Sequence, residues 1–228
     1  IVNGLVGSEM CIRDRFSVKF GQRTTYADNR ELWMSSNSLQ LVERSRLTSA
    51  FASIREFGIF VTGRIKSGRG SFLRPYLVLS NGDGKNIMGN DKGGVKVGGR
   101  IDYLPFGLFN NIGQFRQIDV MREQVPKLVV GVHYSHNSGM SSRRGRYSGR
   151  LVYLNSNDEE SLPDYFKYGL DFLFKYRGFS ALGEFVKSSA IVPDDITQRV
   201  RNDGSISTTF LVNDIQNVDA YVKGRMML

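Results

Sequence analysis

Short stretches in which every second residue is apolar or aromatic recur along most of this chain, and that alternation limits the available folds more than any other feature. Residues 94–104 (GVKVGGRIDYL) put Val95, Val97, Ile101 and Tyr103 on one side and Lys96, Arg100 and Asp102 on the other. Residues 166–176 repeat the pattern, with Tyr168, Leu170, Phe172, Phe174 and Tyr176 opposed by Lys167, Asp171 and Lys175. Successive side chains of a strand point to opposite faces, so each stretch has an apolar wall and a charged wall. The charged wall carries mostly Lys and Arg, which suits a surface facing water that an anion crosses.

A chain of 228 residues suffices for one sizeable all-β domain or part of a larger one. No run of about 18 apolar residues occurs, so a transmembrane helix is excluded. Spanning strands are not, because they need only about 9–11 residues with alternate ones apolar. Twenty-five glycines, 11% aromatics and five prolines suit twisted strands joined by turns. The net charge of +9 favours an anionic partner. Residues 5–15 (LVGSEMCIRDR) look like the translated read-through of a sequencing adapter. Residues 1–15 are therefore expected to lie outside the fold, with the β domain spanning 16–228. Setting them aside removes two cations and two anions, which leaves the net charge at +9. It also removes Cys11, the only cysteine, so neither a disulfide framework nor thiol chemistry is expected. The alternation runs up to Leu228, and the chain reads as an internal fragment.

Alternation predicts strands at 16–23, 54–66, 72–80, 94–104 and 127–136, with a short one at 150–155 and a last one from 219 to 228. Residues 165–176 and 179–187 form the clearest hairpin, closed by the two-residue turn Arg177–Gly178. Residues 39–54 suit a short helix, and 105–126 follow neither period. Connections sort by length: short turns (67–70, 177–178) at one end, and long polar loops (24–53, 81–93, 137–164, 188–217) at the other. Segment 105–126 belongs on the short side and is too long for it. With that exception, the asymmetry is that of an outer-membrane barrel with brief periplasmic turns and longer external loops.

From Phe16 onward the chain resembles the phosphate-selective porin family, the O/P type of bacterial outer-membrane porins. The likeness is carried by KFGQR at 19–23, SNSLQLVERSRLTSAF at 36–51, REFGIFVTGRI at 55–65 and YLVLSNGDG at 76–84. It continues in KVGGRIDYLPFG at 96–107, KYGLDFLFKYRGFSALGEFVK at 167–187 and AYVKGRMML at 220–228. The resemblance implies an antiparallel transmembrane β-barrel of roughly sixteen strands, of which this chain supplies about eight. It further implies a homotrimer in the bacterial outer membrane, in contact with its lipid, that passes phosphate, polyphosphate or other anions. The family narrows its pore with inward-folded loops bearing Arg and Lys. Residues 24–53 match such a loop, which makes Arg44 and Arg46 the best matches to constriction cations. Arg143, Arg144, Arg146 and Arg150 lie in a loop whose spacing differs between family members.

Read from strand parity, Lys19, Arg64, Lys96, Arg100, Lys167, Lys175, Lys223 and Arg225 all fall opposite the apolar face. With Arg44 and Arg46 they form the expected anion pathway, in which rows of cationic sites let an anion hop rather than stick. The competing reading is that each cation keeps a wet wall soluble or pairs with Asp102, Asp171 or Glu184. Tyr103, Tyr134, Tyr168, Tyr176, Phe179 and Tyr221 fall near strand ends, as in interfacial aromatic girdles. His133 and His136 sit three apart on a strand and so face opposite ways, which does not suit a shared metal. The turn at 81–84 has Lys92 where a calcium loop needs Glu. No nucleotide-binding loop and no nucleophile–base pair is visible, so neither a cofactor nor an enzymatic activity such as a phospholipase is expected. A soluble nucleic-acid-binding sheet would set aromatics and cations on the same open face, whereas here they oppose each other. A general or non-phosphate porin is the nearer alternative.

Overall fold

The computed structural model describes residues 9–12, 15–41, 43–51, 55–68, 70–84, 94–140, 151–201 and 204–207. Nearly all of the regular structure is antiparallel β. The strands are β1 (Glu9–Ile12), β2 (Phe16–Arg23), β3 (Glu56–Gly63), β4 (Ile65–Ser67), β5 (Ser71–Ser80) and β6 (Lys96–Leu104). They continue with β7 (Lys127–Asn137), β8 (Leu151–Asn155), β9 (Asp164–Tyr176), β10 (Phe179–Ile191), β11 (Ile196–Arg201) and β12 (Ile206–Ser207). A short α-helix, α1 (Arg46–Phe51), lies between β2 and β3.

Nine strands make one open sheet in the order β1-β2-β3-β5-β6-β7-β9-β10, with β4 also paired to β5. Within residues 16–191 each long strand pairs with its sequence neighbour, so the sheet is an up-and-down meander. Glu9–Ile12, from the segment expected to lie outside the fold, pairs with Phe16–Lys19 at one edge. A small second sheet, β12-β11-β8, joins the two long connections that flank the β9–β10 hairpin.

Local chemistry explains the breaks and turns. β3 and β4 keep one register against β5, as Thr62 faces Tyr76 and Ile65 faces Leu73. That register puts Gly63 opposite Pro75, which has no N–H to donate, and the ladder is interrupted there. A Cβ on Gly63 would stand 2.8 Å from the Pro75 ring. At the β9–β10 turn Arg177 and Gly178 have φ values of 47° and 92°. Two positive φ angles define the turn type that matches strand twist in two-residue hairpins.

Parity is preserved across every pairing of the nine-stranded sheet, which therefore has two chemically distinct faces. Arg100 lies opposite both Tyr76 and His133, and Asp171 lies opposite both Gly131 and Glu184. Ile59, Leu77, Leu79, Val97, Ile101, Val132, Tyr134, Tyr168 and Leu170 point outward and are 40–62% exposed. On the inward face Lys96, Arg100, Asp102, Lys167, Asp171 and Lys175 are only 1–3% exposed. Burial is thus inverted relative to a water-soluble sheet, which hides its apolar face and wets its charged one.

Two segments cover the inward face. Residues 24–41 and 43–51 fold across its middle, where Ala27 packs on Phe60 and Val78, and Leu47 and Phe51 pack on Val186. Residues 105–126, which fit neither period in the sequence, cover the short-turn end. There Phe109 and Met34 pack against Leu104, Val129, Leu173 and Leu182, four inward-facing apolar residues that mere alternation had not separated from the charged ones. The unexpected length of 105–126 therefore corresponds to a second inward-folded segment rather than a turn.

Candidate functional site: a charge cluster between loop and sheet

The loop that follows β2 carries Asp28, Asn29, Arg30 and Glu31 into the sheet, and all four are buried. A 3-10 turn at Arg30–Trp33 directs them. Close approach is possible because Gly98 has no side chain: a Cβ there would come 2.6 Å from the Cβ of Ala27. Gly131 plays the same part deeper in the sheet, where a Cβ would overlap the Arg100 guanidinium and the Asp102 carboxylate.

Arg30 is the central tie. Its Nε donates to Asp171 Oδ1 at 2.7 Å and its Nη2 to Asp102 Oδ1 at 2.7 Å. Arg100 donates through Nε to the same Asp102 oxygen at 2.7 Å and through Nη2 to both oxygens of Asp171. Beside this group, Lys96 Nζ donates to Glu56 at 2.8 Å and reaches Asp28 at 3.5 Å, while Lys167 Nζ donates to Asp28 at 3.0 Å. Glu31 accepts from Ser45 N at 3.0 Å and Gln117 Nε2 at 2.9 Å, and Glu184 accepts from Asn29 Nδ2 at 2.9 Å and Glu31 N at 2.7 Å. Burial pushes the Asp28 carboxyl up, but Lys167 and then Lys96 beside it push it down further, to about 2. Burial likewise works against the Arg30 charge, and Asp102 and Asp171 outweigh it, so Arg30 holds its proton more tightly than usual.

The cations Arg30, Lys96, Arg100 and Lys167 face the carboxylates Asp28, Glu56, Asp102 and Asp171, four against four. Lys96, Arg100 and Lys167 were expected to line an anion pathway. Here they anchor a loop, and their charges are matched pair by pair. Lys175 is also buried, donating to the carbonyls of Gly113 at 2.9 Å and Ile118 at 2.8 Å in the second covering segment. Lys19 lies on the inward face opposite Phe60 and is half-buried. Arg44 donates to the carbonyls of Glu31 and Met34 at 2.6 and 2.7 Å, bracing its own loop from within. Arg46 is exposed at the start of α1, and Arg64 is exposed at the β3–β4 break, away from the cluster. Lys223, Arg225 and Tyr221 lie outside the described residues, as do Arg143, Arg144, Arg146 and Arg150. His133 is buried on the inward face, 3.9 Å from Asp171. His136 points the other way and stacks on Phe166 at 4.5 Å.

Sequence reasoning missed Asp28, Arg30, Glu31 and Glu56. The available signal was weak: alternating charges in DNRE sit directly between Ala27 and Leu32, two apolar residues that a solvated loop does not need. No protein-family model, curated protein or solved structure matches the chain.

Proposed function

We propose that the chain forms part of the wall of a bacterial outer-membrane β-barrel that passes small anions, with phosphate and polyphosphate as the favoured solutes. The observation that supports this most is the inverted burial of the nine-stranded sheet. Its outward face offers hydrocarbon-compatible side chains along β3, β5, β6, β7 and β9. Its inward face holds charged groups under a long loop, an arrangement with a clear physical rationale only if the solvent outside is lipid. An open sheet leaves unpaired strand edges that lipid cannot satisfy, so the reading requires further strands, or further copies, to close the wall.

The sorted connection lengths and the likeness to phosphate-selective porins support the same reading. Anion preference rests on the net charge of +9 rather than on Lys96, Arg100 and Lys167, which are neutralised by their partners. The test is conductance of the closed assembly in planar bilayers under a salt gradient. A reversal potential of anion-selective sign, with chloride current blocked by millimolar phosphate, is expected. A cation-selective or non-conducting assembly overturns the reading, and conductance without phosphate block removes the phosphate preference alone.

A further inference from the structure

Where the loop meets β5, four aromatic rings gather beside the charge cluster. Tyr26 lies 5.0 Å from Trp33 and 4.9 Å from Tyr76, Trp33 lies 5.2 Å from Tyr76, and Phe115 lies 6.2 Å from Trp33. Three guanidiniums flank these rings. Arg100 stands 4.5 Å and Arg30 5.8 Å from the Trp33 ring centre, and Arg74 stands 5.8 Å from Tyr76 and 5.6 Å from Phe115. Such contacts hold a cation against a ring face but leave its N–H groups free to donate.

At this cluster three buried donor atoms have no acceptor among the described residues: Arg30 Nη1, Arg74 Nε and Tyr76 Oη. Arg30 is 0% and Tyr76 2% exposed, so bulk water does not satisfy them. Leaving buried donors unpaired is costly, which marks the place as one built for an acceptor. Register puts Arg74 opposite Asp102, the carboxylate that also holds Arg30. Three guanidiniums (Arg30, Arg74, Arg100) stand at these rings, and of them Arg30 and Arg100 hold the carboxylates Asp102 and Asp171. Tyr26, Trp33, Arg74 and Phe115 are only half-buried and form the outer edge of the cluster.

We propose that this cluster binds a small aromatic carboxylate, its ring against Trp33 and its two oxygens taking the donors of Arg30, Arg74 and Tyr76. Three donors suit two carboxylate oxygens, and a surround of four rings gives a flat apolar body more contact than it gives a fully hydrated inorganic ion. The site does not depend on the pore reading, since binding to it needs neither a bilayer nor conduction.

Trp33 is the only tryptophan in the chain, so its fluorescence reports the site directly. The full chain folded in detergent micelles is titrated with sodium benzoate, sodium acetate and inorganic phosphate at matched ionic strength. Benzoate is expected to give a saturable change at millimolar concentration or below, with acetate and phosphate at least tenfold weaker. Arg74→Gln and Tyr76→Phe, each checked for unchanged circular dichroism, are expected to weaken benzoate at least fivefold. An unsaturable benzoate response, equal responses to acetate or phosphate, or unchanged affinity in Arg74→Gln overturns the proposal. A chain that binds benzoate yet never conducts keeps the site and loses the pore, and the opposite result does the reverse.

Discussion

Replacing Arg30 by methionine removes a cation that ties the inward loop to both β6 and β9 while keeping most of the side-chain volume. Arg30 donates one hydrogen bond to Asp102 and one to Asp171, and all three groups are buried, so solvent does not screen the loss. Arg100 stays behind as the guanidinium hydrogen-bonded to both carboxylates, and the four-against-four set of buried charges loses one of its cations. Breaking one partner out of a buried ion pair costs about 3–5 kcal/mol. At about 1.4 kcal/mol per tenfold, the open population of the loop should rise by a factor of about a hundred to a few thousand. Trypsin cleavage after Arg46, which is exposed on the same loop, reads that population when opening and closing are faster than cleavage. Arg44→Met is the control: among the described residues Arg44 bonds only carbonyls of its own loop and is half-buried, so a change of about 1 kcal/mol or less is expected. An Arg30→Met cleavage rate within about fivefold of the parent would mean that these ion pairs do not hold the loop closed. The loop would then be held by the packing of Ala27 on Phe60 and Val78, with the charges incidental.

Gly98→Ala puts a methyl 2.6 Å from the Cβ of Ala27 and should unseat the loop at a cost of about 1–3 kcal/mol, read as a red shift of Trp33 emission. Val97→Arg on the outward face should destabilise the protein folded in lipid vesicles by about 2–4 kcal/mol if that residue sits near mid-bilayer, measured by urea unfolding. Asp28 titrates at about 2 when folded and 3.8 when unfolded, so the unfolded chain binds more protons between those values. Its contribution to loop closure is therefore complete above about pH 4 and lost as pH falls toward 2. Trypsin is inactive there, so pepsin cleavage or hydrogen exchange of residues 43–51 follows it, and Asp28→Asn should flatten the profile.

Which residues share a face was legible because alternation is local: β6 and β9 could be read residue by residue, and the structure keeps their parity. The β9–β10 hairpin was legible for the same reason, since Arg177–Gly178 supplies the turn chemistry in place. What covers the inward face was not. Asp28 and Lys167 are 139 residues apart and Arg30 and Asp171 are 141 apart, and nothing near either partner announces the other. Taken alone, a charged loop such as 28–31 reads as solvated, and a strand lysine reads as wet. Only the fold turns both into a buried pair. Segment 105–126 was opaque because its inward packing needs four leucine and valine side chains from three other strands and β6 itself. β11 was hidden in a polar stretch, where pairing with β8 rather than hydrophobic alternation holds the strand.

The pore reading requires that the apolar face of the sheet meet hydrocarbon. Nitroxide labels at Val97→Cys, Ile101→Cys and Val132→Cys, in a Cys11→Ala background reconstituted in lipid, test it directly through collision with oxygen and with a water-soluble nickel chelate. Oxygen should dominate at all three positions, because it partitions into lipid and the chelate does not. Dominant collision with the chelate, or protection from both probes, would mean that this face does not meet lipid.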